Sequence, residues 1–211
     1  MFGHEHQTPK VSAVAAIALL LALPAMVAGC GGGKSAGAST SAKLDAPGEL
    51  QPPMPAPEIV LRDSTGRQVR LSQFRGRAVL LTFIYDHCPD TCPLIVAKLH
   101  QALAELGPRA SQVQVVAVSV DPRGDTPKTV RAFLALHHMT GRMEYLIGSG
   151  KQLAPVWKAY DIAAQGTPNS REVSHTALVY GITGKGVRLA LYDAEFKPSE
   201  IAHDVPLLAA R

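Results

Sequence analysis

The sequence predicts an α/β domain, a central sheet flanked by helices, and three observations carry that prediction. Two continuous apolar runs, Ala78–Tyr85 and Val113–Val120, read as strands covered on both faces rather than wetted on one. Between them, Ile95, Leu99, Ala102, Leu103 and Leu106 recur at helical spacing and give one apolar face. Strand-like and helix-like segments then alternate without an internal repeat, the pattern of a layered α/β fold. In such sheets sites form beyond the carboxyl ends of parallel strands, and both Cys88 and Asp121 follow buried runs there.

The first residues stand apart from this pattern. Val11–Ala28 is almost wholly apolar and follows Lys10, which reads as an export signal. It ends in Val27-Ala28-Gly29-Cys30, which resembles the lipobox of bacterial lipoproteins and implies that Cys30 becomes the lipidated first residue. His4 and His6 fall upstream of that cut. Gly31–Pro57 is rich in Gly, Ser, Ala and Pro and too poor in apolar residues to offset ordering entropy. As a flexible coil of about 27 residues it spans roughly 30 Å. The expected organisation is a signal over 1–29, lipidated Cys and linker over 30–57, and one folded domain over 58–211.

Within the domain, Glu58–Asp63 and Arg67–Leu71 flank Ser64-Thr65-Gly66, a hairpin signal. The strand at Ala78–Tyr85 leads to Asp86, His87 and Cys88-Pro89-Asp90-Thr91-Cys92-Pro93, and the helix that follows closes at Gly107-Pro108. After Val113–Val120 comes Asp121-Pro122-Arg123-Gly124-Asp125-Thr126-Pro127, where Asp125 or Thr126 caps a helix that Gly141 closes. Met143–Ile147 reads as a strand, Gly150–Tyr160 as a helix and Ala163–Ser174 as a loop. His175–Ile182 and Val187–Tyr192 read as strands, and a last helix from near Pro198 is expected to break or kink at Pro206.

Composition excludes little, but it narrows the partners. The net charge of +4 comes without a dense Lys/Arg run, so no nucleic-acid surface is expected. Of the three cysteines, lipidation of Cys30 leaves one pair, Cys88 and Cys92, in an exported protein. Outside the cytoplasm such a pair oxidises unless it is kept reduced or metal-bound. It sits where a strand hands over to a helix N-terminus, where backbone N–H groups and the helix dipole favour thiolate.

Four positions apart, the two sulfurs lie about one turn from each other if the helix starts at the first. They can then pinch a metal or close a disulfide. Thiolates select Cu(I), zinc and iron–sulfur clusters, but zinc and clusters usually take four protein ligands. The domain has no further Cys, so copper fits better.

The segment FIYDHCPDTCP resembles the signature of the Sco/SenC family, and further pieces agree in order: Asp121-Pro122 with Asp125-Thr126-Pro127, Thr140-Gly141, and Val173-Ser174-His175-Thr176. The resemblance covers roughly 57–208. It implies a thioredoxin-like fold and copper held by Cys88, Cys92 and His175, with Cu(I) favoured over Cu(II). It also implies a chaperone that serves the binuclear copper centre of cytochrome c oxidase, with subunit II as acceptor, an upstream copper donor and a thiol reductase. The chain is then an exported lipoprotein, anchored to the membrane with its domain on the periplasmic side. Three positions depart from the family: Asp86 stands where Thr is common, Gly124 where Arg is frequent, and Ile182–Gly186 lacks the usual Asp-Pro. A carboxylate beside two thiols opposes thiolate formation.

Bottom-up, other readings stay open. His175 opening a strand also suits a structural role, His87 a surface position, and Asp121 a turn before Pro122. Asp121 and His87 are the candidates for support around the ligands. His100, His137, His138 and His203 fall on expected helices and read as solvated. The alternative function is an extracytoplasmic thiol–disulfide oxidoreductase, in which one Cys attacks a partner disulfide and the other resolves it. Thioredoxins carry one residue fewer between their cysteines, which argues mildly against that role. A peroxidase ranks last, because Leu81 stands where its Pro would fall.

Overall fold

Seven consecutive buried residues, Ala78–Ile84, form the middle of the sheet in the computed structural model, which describes residues 42–163 and 177–211. In chain order the described elements are strands β1 (Gly48–Pro55), β2 (Val60–Asp63), β3 (Gln68–Arg70) and β4 (Ala78–Ile84), helix α1 (Thr91–Leu106), β5 (Val113–Ser119), helix α2 (Pro127–Leu136), β6 (Met143–Ile147), helix α3 (Gly150–Ala159), β7 (Val179–Ile182), β8 (Val187–Tyr192) and helix α4 (Pro198–Ala210). Short 3-10 turns at Leu71–Phe74 and Gly107–Gln112 lead into β4 and β5.

The strands form one sheet in the order β1-β8-β7-β4-β5-β6-β2-β3. β4, β5 and β6 run parallel, joined through α1 and α2, whereas β7 lies antiparallel on the other side of β4. The central strands are apolar throughout because both faces are covered, as the two runs predict. Thr82 interrupts the first run because its hydroxyl donates to the Leu178 carbonyl at 3.0 Å, tying the approach to β7 onto β4. Packing of α4 against α1 buries Ile95, Leu99, Ile201, Val205 and Leu208 completely.

Four expectations are corrected. The linker expected to reach Pro57 is ordered from residue 42: β1 pairs antiparallel with β8, and Leu44 is buried. Its prolines are tolerated because β1 is an edge strand, where one side of the backbone needs no partner. The buried carboxylate of Asp204 fastens this entry, accepting the N–H of Asp45 at 2.7 Å, that of Ala46 at 2.9 Å and the Tyr192 hydroxyl at 2.8 Å. Second, α4 continues through Pro206 to Ala210, because the face it buries outweighs the lost backbone hydrogen bond. Third, α1 starts at Thr91, so Cys88 lies in the loop before it. Fourth, α2 ends at Leu136, with His137 and His138 in the turn beyond.

Candidate metal centre

The loop from Tyr85 to Asp90 places the thiols. The Cys88 N–H donates to the Tyr85 carbonyl at 3.3 Å, a turn that folds Cys88 back over the start of α1. Asp90 is the N-cap, its carboxylate accepting from the Thr91 N–H. Cys92, one residue into the helix, then directs its own N–H to the Cys88 sulfur at 3.3 Å. The sulfur thus receives a helix N-terminal donor that otherwise has no partner.

The two thiols are free and unequal: Cys88 is 9% exposed and Cys92 is 0% exposed. A hydrogen bond from the Cys92 thiol is the main reason that Cys88 falls from the usual 9.0 to about 6, assisted by the N–H groups of Cys92 and Asp90 and by Tyr85, against the opposing effect of burial. Cys92 moves the other way, because it donates that bond, is buried, and faces the negative charges of Cys88 and Asp125. Near neutral pH the pair therefore holds one proton on Cys92 and presents a thiolate at Cys88. A soft cation arriving there meets one ligand ready and displaces a proton from the second.

A carboxylate network lies beneath. Asp125, 6% exposed, accepts the Asp86 N–H at 2.9 Å on one oxygen and the Tyr145 hydroxyl at 2.9 Å on the other. Burial pushes Asp125 up to about 7, with the negative charge of Asp86 adding to the rise and its hydrogen bonds opposing it. The side chain of Asp86 is 3% exposed, its oxygens accept no hydrogen bond, and its carboxylate contacts Nδ1 of the half-exposed His87. Loss of hydration there is offset by that one neighbour, an arrangement that orients the imidazole beside Cys88.

Cys88, Cys92, Asp86 and His87 thus come together, and Asp121 does not join them. Its carboxylate accepts the Arg123 N–H at 3.1 Å and its carbonyl the Asp125 N–H at 3.0 Å, which closes the loop after β5. Gly124 lets that carboxylate pack close, since a Cβ would collide with it. Thr126 is the cap of α2, which frees Asp125 to turn inward. Asp125 and Tyr145 are the members of this cluster that sequence reasoning did not place at the site. The signal was the pairing of two adjacent capping candidates, of which only one can cap.

Cys30 and His175 lie outside the described residues. β7 starts four residues after His175 and runs antiparallel to β4, so its first residue lies toward the end of β4 that leads to Cys88. His100 and His138 put their rings 5.8 Å apart, away from the thiols. Asp45, His203 and Asp204 are the only group of three potential ligands close together among the described residues, and Asp204 is already committed to the chain entry.

The SCO1/SenC family model matches residues 51–210. The mitochondrial SCO2 homolog of Bos taurus is 30% identical over 154 residues, which are 70% of this chain and 57% of that protein. The chain therefore spans little more than half of that relative. Protein SenC of Rhodobacter capsulatus is 30% identical over 151 residues, 70% of this chain and 67% of the other. Among solved structures, Bradyrhizobium japonicum ScoI with copper bound is 29% identical, with a TM-score of 0.64 over 72% of this chain and 98% of that one. The sheet and its helices have the thioredoxin-like arrangement of such Sco structures, and this chain belongs to the SCO1/SenC family.

Proposed function

We propose that the chain is a membrane-tethered copper chaperone, in which Cys88, Cys92 and His175 hold one Cu(I) and pass it to the binuclear copper centre of cytochrome c oxidase. The observation that carries this reading is the unequal thiol pair: a thiolate at Cys88, which keeps 9% exposure, backed by the fully buried Cys92 thiol in the first turn of α1. Two sulfurs and an imidazole suit Cu(I), which accepts low coordination and soft donors. Binding is a ligand exchange without net electron transfer, and the Cys92 proton leaves to solvent. Copper stays with the ScoI relative in its solved structure, which supports the same cargo here. Subunit II as acceptor, a thiol reductase that keeps the pair reduced, and the lipid anchor at Cys30 belong to the same reading. No helix among the described residues is long and apolar enough to cross a membrane.

Anaerobic titration of the reduced full-length protein tests it. The expected result is saturation at a single equivalent of Cu(I), lost in Cys88→Ser and in Cys92→Ser and weakened in His175→Ala. An unchanged Cu(I) affinity in His175→Ala removes the imidazole from the ligand set.

A second reading, the thiol–disulfide oxidoreductase, is favoured by the acidity of Cys88 alone. Its thiolate attacks a partner disulfide, the Cys92 thiol loses its proton and resolves the mixed disulfide, and two electrons pass to the partner as Cys88–Cys92 oxidises. If His175→Ala leaves Cu(I) affinity unchanged while the protein reduces partner disulfides, this reading replaces the first.

A further inference from the structure

The parallel strands β4, β5 and β6 all point toward the thiols, so the residues just before them collect at the other end of the domain. Arg77 precedes β4, Arg109 lies in the turn before β5, and Arg142 precedes β6. Arg75 and Lys185 join them, since the Gly76 N–H donates to the Gly184 carbonyl at 3.0 Å. Lys43 completes the group: it adjoins Ala42, whose carbonyl meets the guanidinium of Arg211 beyond the end of α4. Five of these six cations are exposed, Arg77 is half-buried, and no ion pair among the described residues engages any of them.

Carboxylates at this end are few. Glu105, in the last turn of α1, accepts from Gln101, Glu144 is paired with Arg67 at 2.6 Å, and Glu58, two residues after the Ala56 N–H that donates to the Gly186 carbonyl, accepts the Ser72 N–H at 3.2 Å. Between α1 and the start of β6 runs a groove of about 700 Å³, lined by Arg77, His100, Gln114 and Arg142. At the thiol end the signs are mixed: Asp90, Asp121, Asp193 and Glu195 share the loops and helix starts there with Arg123, Lys128, Lys151 and Lys197. The cations of the basic end are dispersed along the sequence, and the topology gathers them.

We propose that this basic end is a docking surface for an anionic phospholipid bilayer, which holds the domain with its thiols facing away from the membrane. The proposal rests on the tether reading in one respect, that Cys30 carries the lipid. The described chain begins at this same end. Only 12 positions separate Cys30 from Ala42, which bounds the distance between them at roughly 40 Å. That keeps the basic end within a few Debye lengths of the headgroups, each about 8 Å at physiological salt. Surface phosphates then attract the six cations, while the mixed charges of the thiol end offer no comparable excess, which fixes the orientation as well as the distance. The groove gives headgroup phosphates a place between two guanidinium groups, Arg77 and Arg142.

The test uses the full-length protein in vesicles of phosphatidylcholine, with or without phosphatidylglycerol, followed by hydrogen exchange. In the anionic vesicles the expected result is slower exchange across residues 105–112, 140–142 and 183–186, reversed by high salt, with residues 86–92 unaffected. Each cation near such a surface changes partition roughly fivefold, so the triple variant Arg109→Gln, Arg142→Gln, Lys185→Gln weakens the docked state on the order of a hundredfold. The variant keeps the Cu(I) stoichiometry of the parent, so failure of the copper reading and failure of this one are distinguishable. Equal exchange in the two vesicle types, or protection at the thiol end, overturns the proposal. Inorganic phosphate alone, if it reproduces the protection, shows a small-anion site in place of a surface. If the chain proves not to be lipidated, the unanchored protein must still sediment with anionic vesicles and not with neutral ones, and failure there also overturns it.

Discussion

At the carboxyl ends of β4 and β5 the chain buries two carboxyl groups and two thiols, whereas at their amino ends its cations stay in water. Backbone-to-backbone bonds join the turns at the amino end: Gly76 donates to Gly184, Gly184 to Leu208 at 2.9 Å, and Gly186 to Thr183 at 2.8 Å. Such bonds fix positions and leave the surrounding charges free to act over a distance. At the thiol end the bonds run to side chains, and they fix charge states. The Cys92 N–H on the Cys88 sulfur and the Asp86 N–H on Asp125 each set how readily one group ionises. One end of the sheet thus governs placement and the other governs chemistry.

The largest effect that sharpens this contrast is on Cys88 itself. Its acidity comes chiefly from the Cys92 thiol, so Cys92→Ala should move the midpoint of Cys88 alkylation from about 6 toward the usual 9.0. The midpoint of the pH profile is the quantity to read. A rate at a single pH misleads, because a less acidic thiolate is also a stronger nucleophile. A midpoint that stays near 6 in the variant assigns the acidity to the helix N–H groups instead.

Next in size is Asp125. Its native value, about 7, lies above the usual 3.8, so the native state holds a proton that the unfolded state releases between those values. The stabilising contribution is complete below the usual value and is lost as pH rises through about 7. Each pH unit across that window costs about 1.4 kcal/mol. Asp125→Asn can still accept the Asp86 N–H and engage Tyr145, and it carries no charge to bury. Urea unfolding should therefore give a variant more stable than the parent at pH 8, with the difference vanishing near pH 4. A difference independent of pH contradicts a protonated Asp125 in the native state.

The central strands and α1 were legible because burial on two faces or on one leaves a period in the sequence, as Leu80, Leu81, Ile95 and Leu99 show. The β2–β3 hairpin was legible from Ser64-Thr65-Gly66 for the same local reason. β1 was not, because Gly48 and three prolines give a strand no local signature. Its order comes from β8 and from Asp204, more than 130 positions away in sequence. The thiols were legible as a motif, but the inequality between them depends on Cys88 lying outside the helix and Cys92 inside it. Asp125 was legible only as one of two caps. Its inward turn follows from the closure of the Asp121 loop around Gly124, a tertiary event without a sequence period.

The smallest effect belongs to the other end of the sheet, at Gly184. A Cβ there would lie 2.5 Å from the Ala209 carbonyl oxygen, and that oxygen is backbone at the end of α4. Gly184 cannot retreat, because its N–H is bonded to Leu208 and its carbonyl receives Gly76. Gly184→Ala must therefore shift the end of α4 away from the sheet, at a cost of about 1–3 kcal/mol in urea unfolding. The thiols depend on the loop after β4 and on the first turn of α1, none of which touches Gly184. The midpoint of Cys88 alkylation should stay near about 6 in this variant even as its unfolding midpoint falls. If the two midpoints move together, the two ends are mechanically coupled through α4 and α1, and the division between placement and chemistry does not hold.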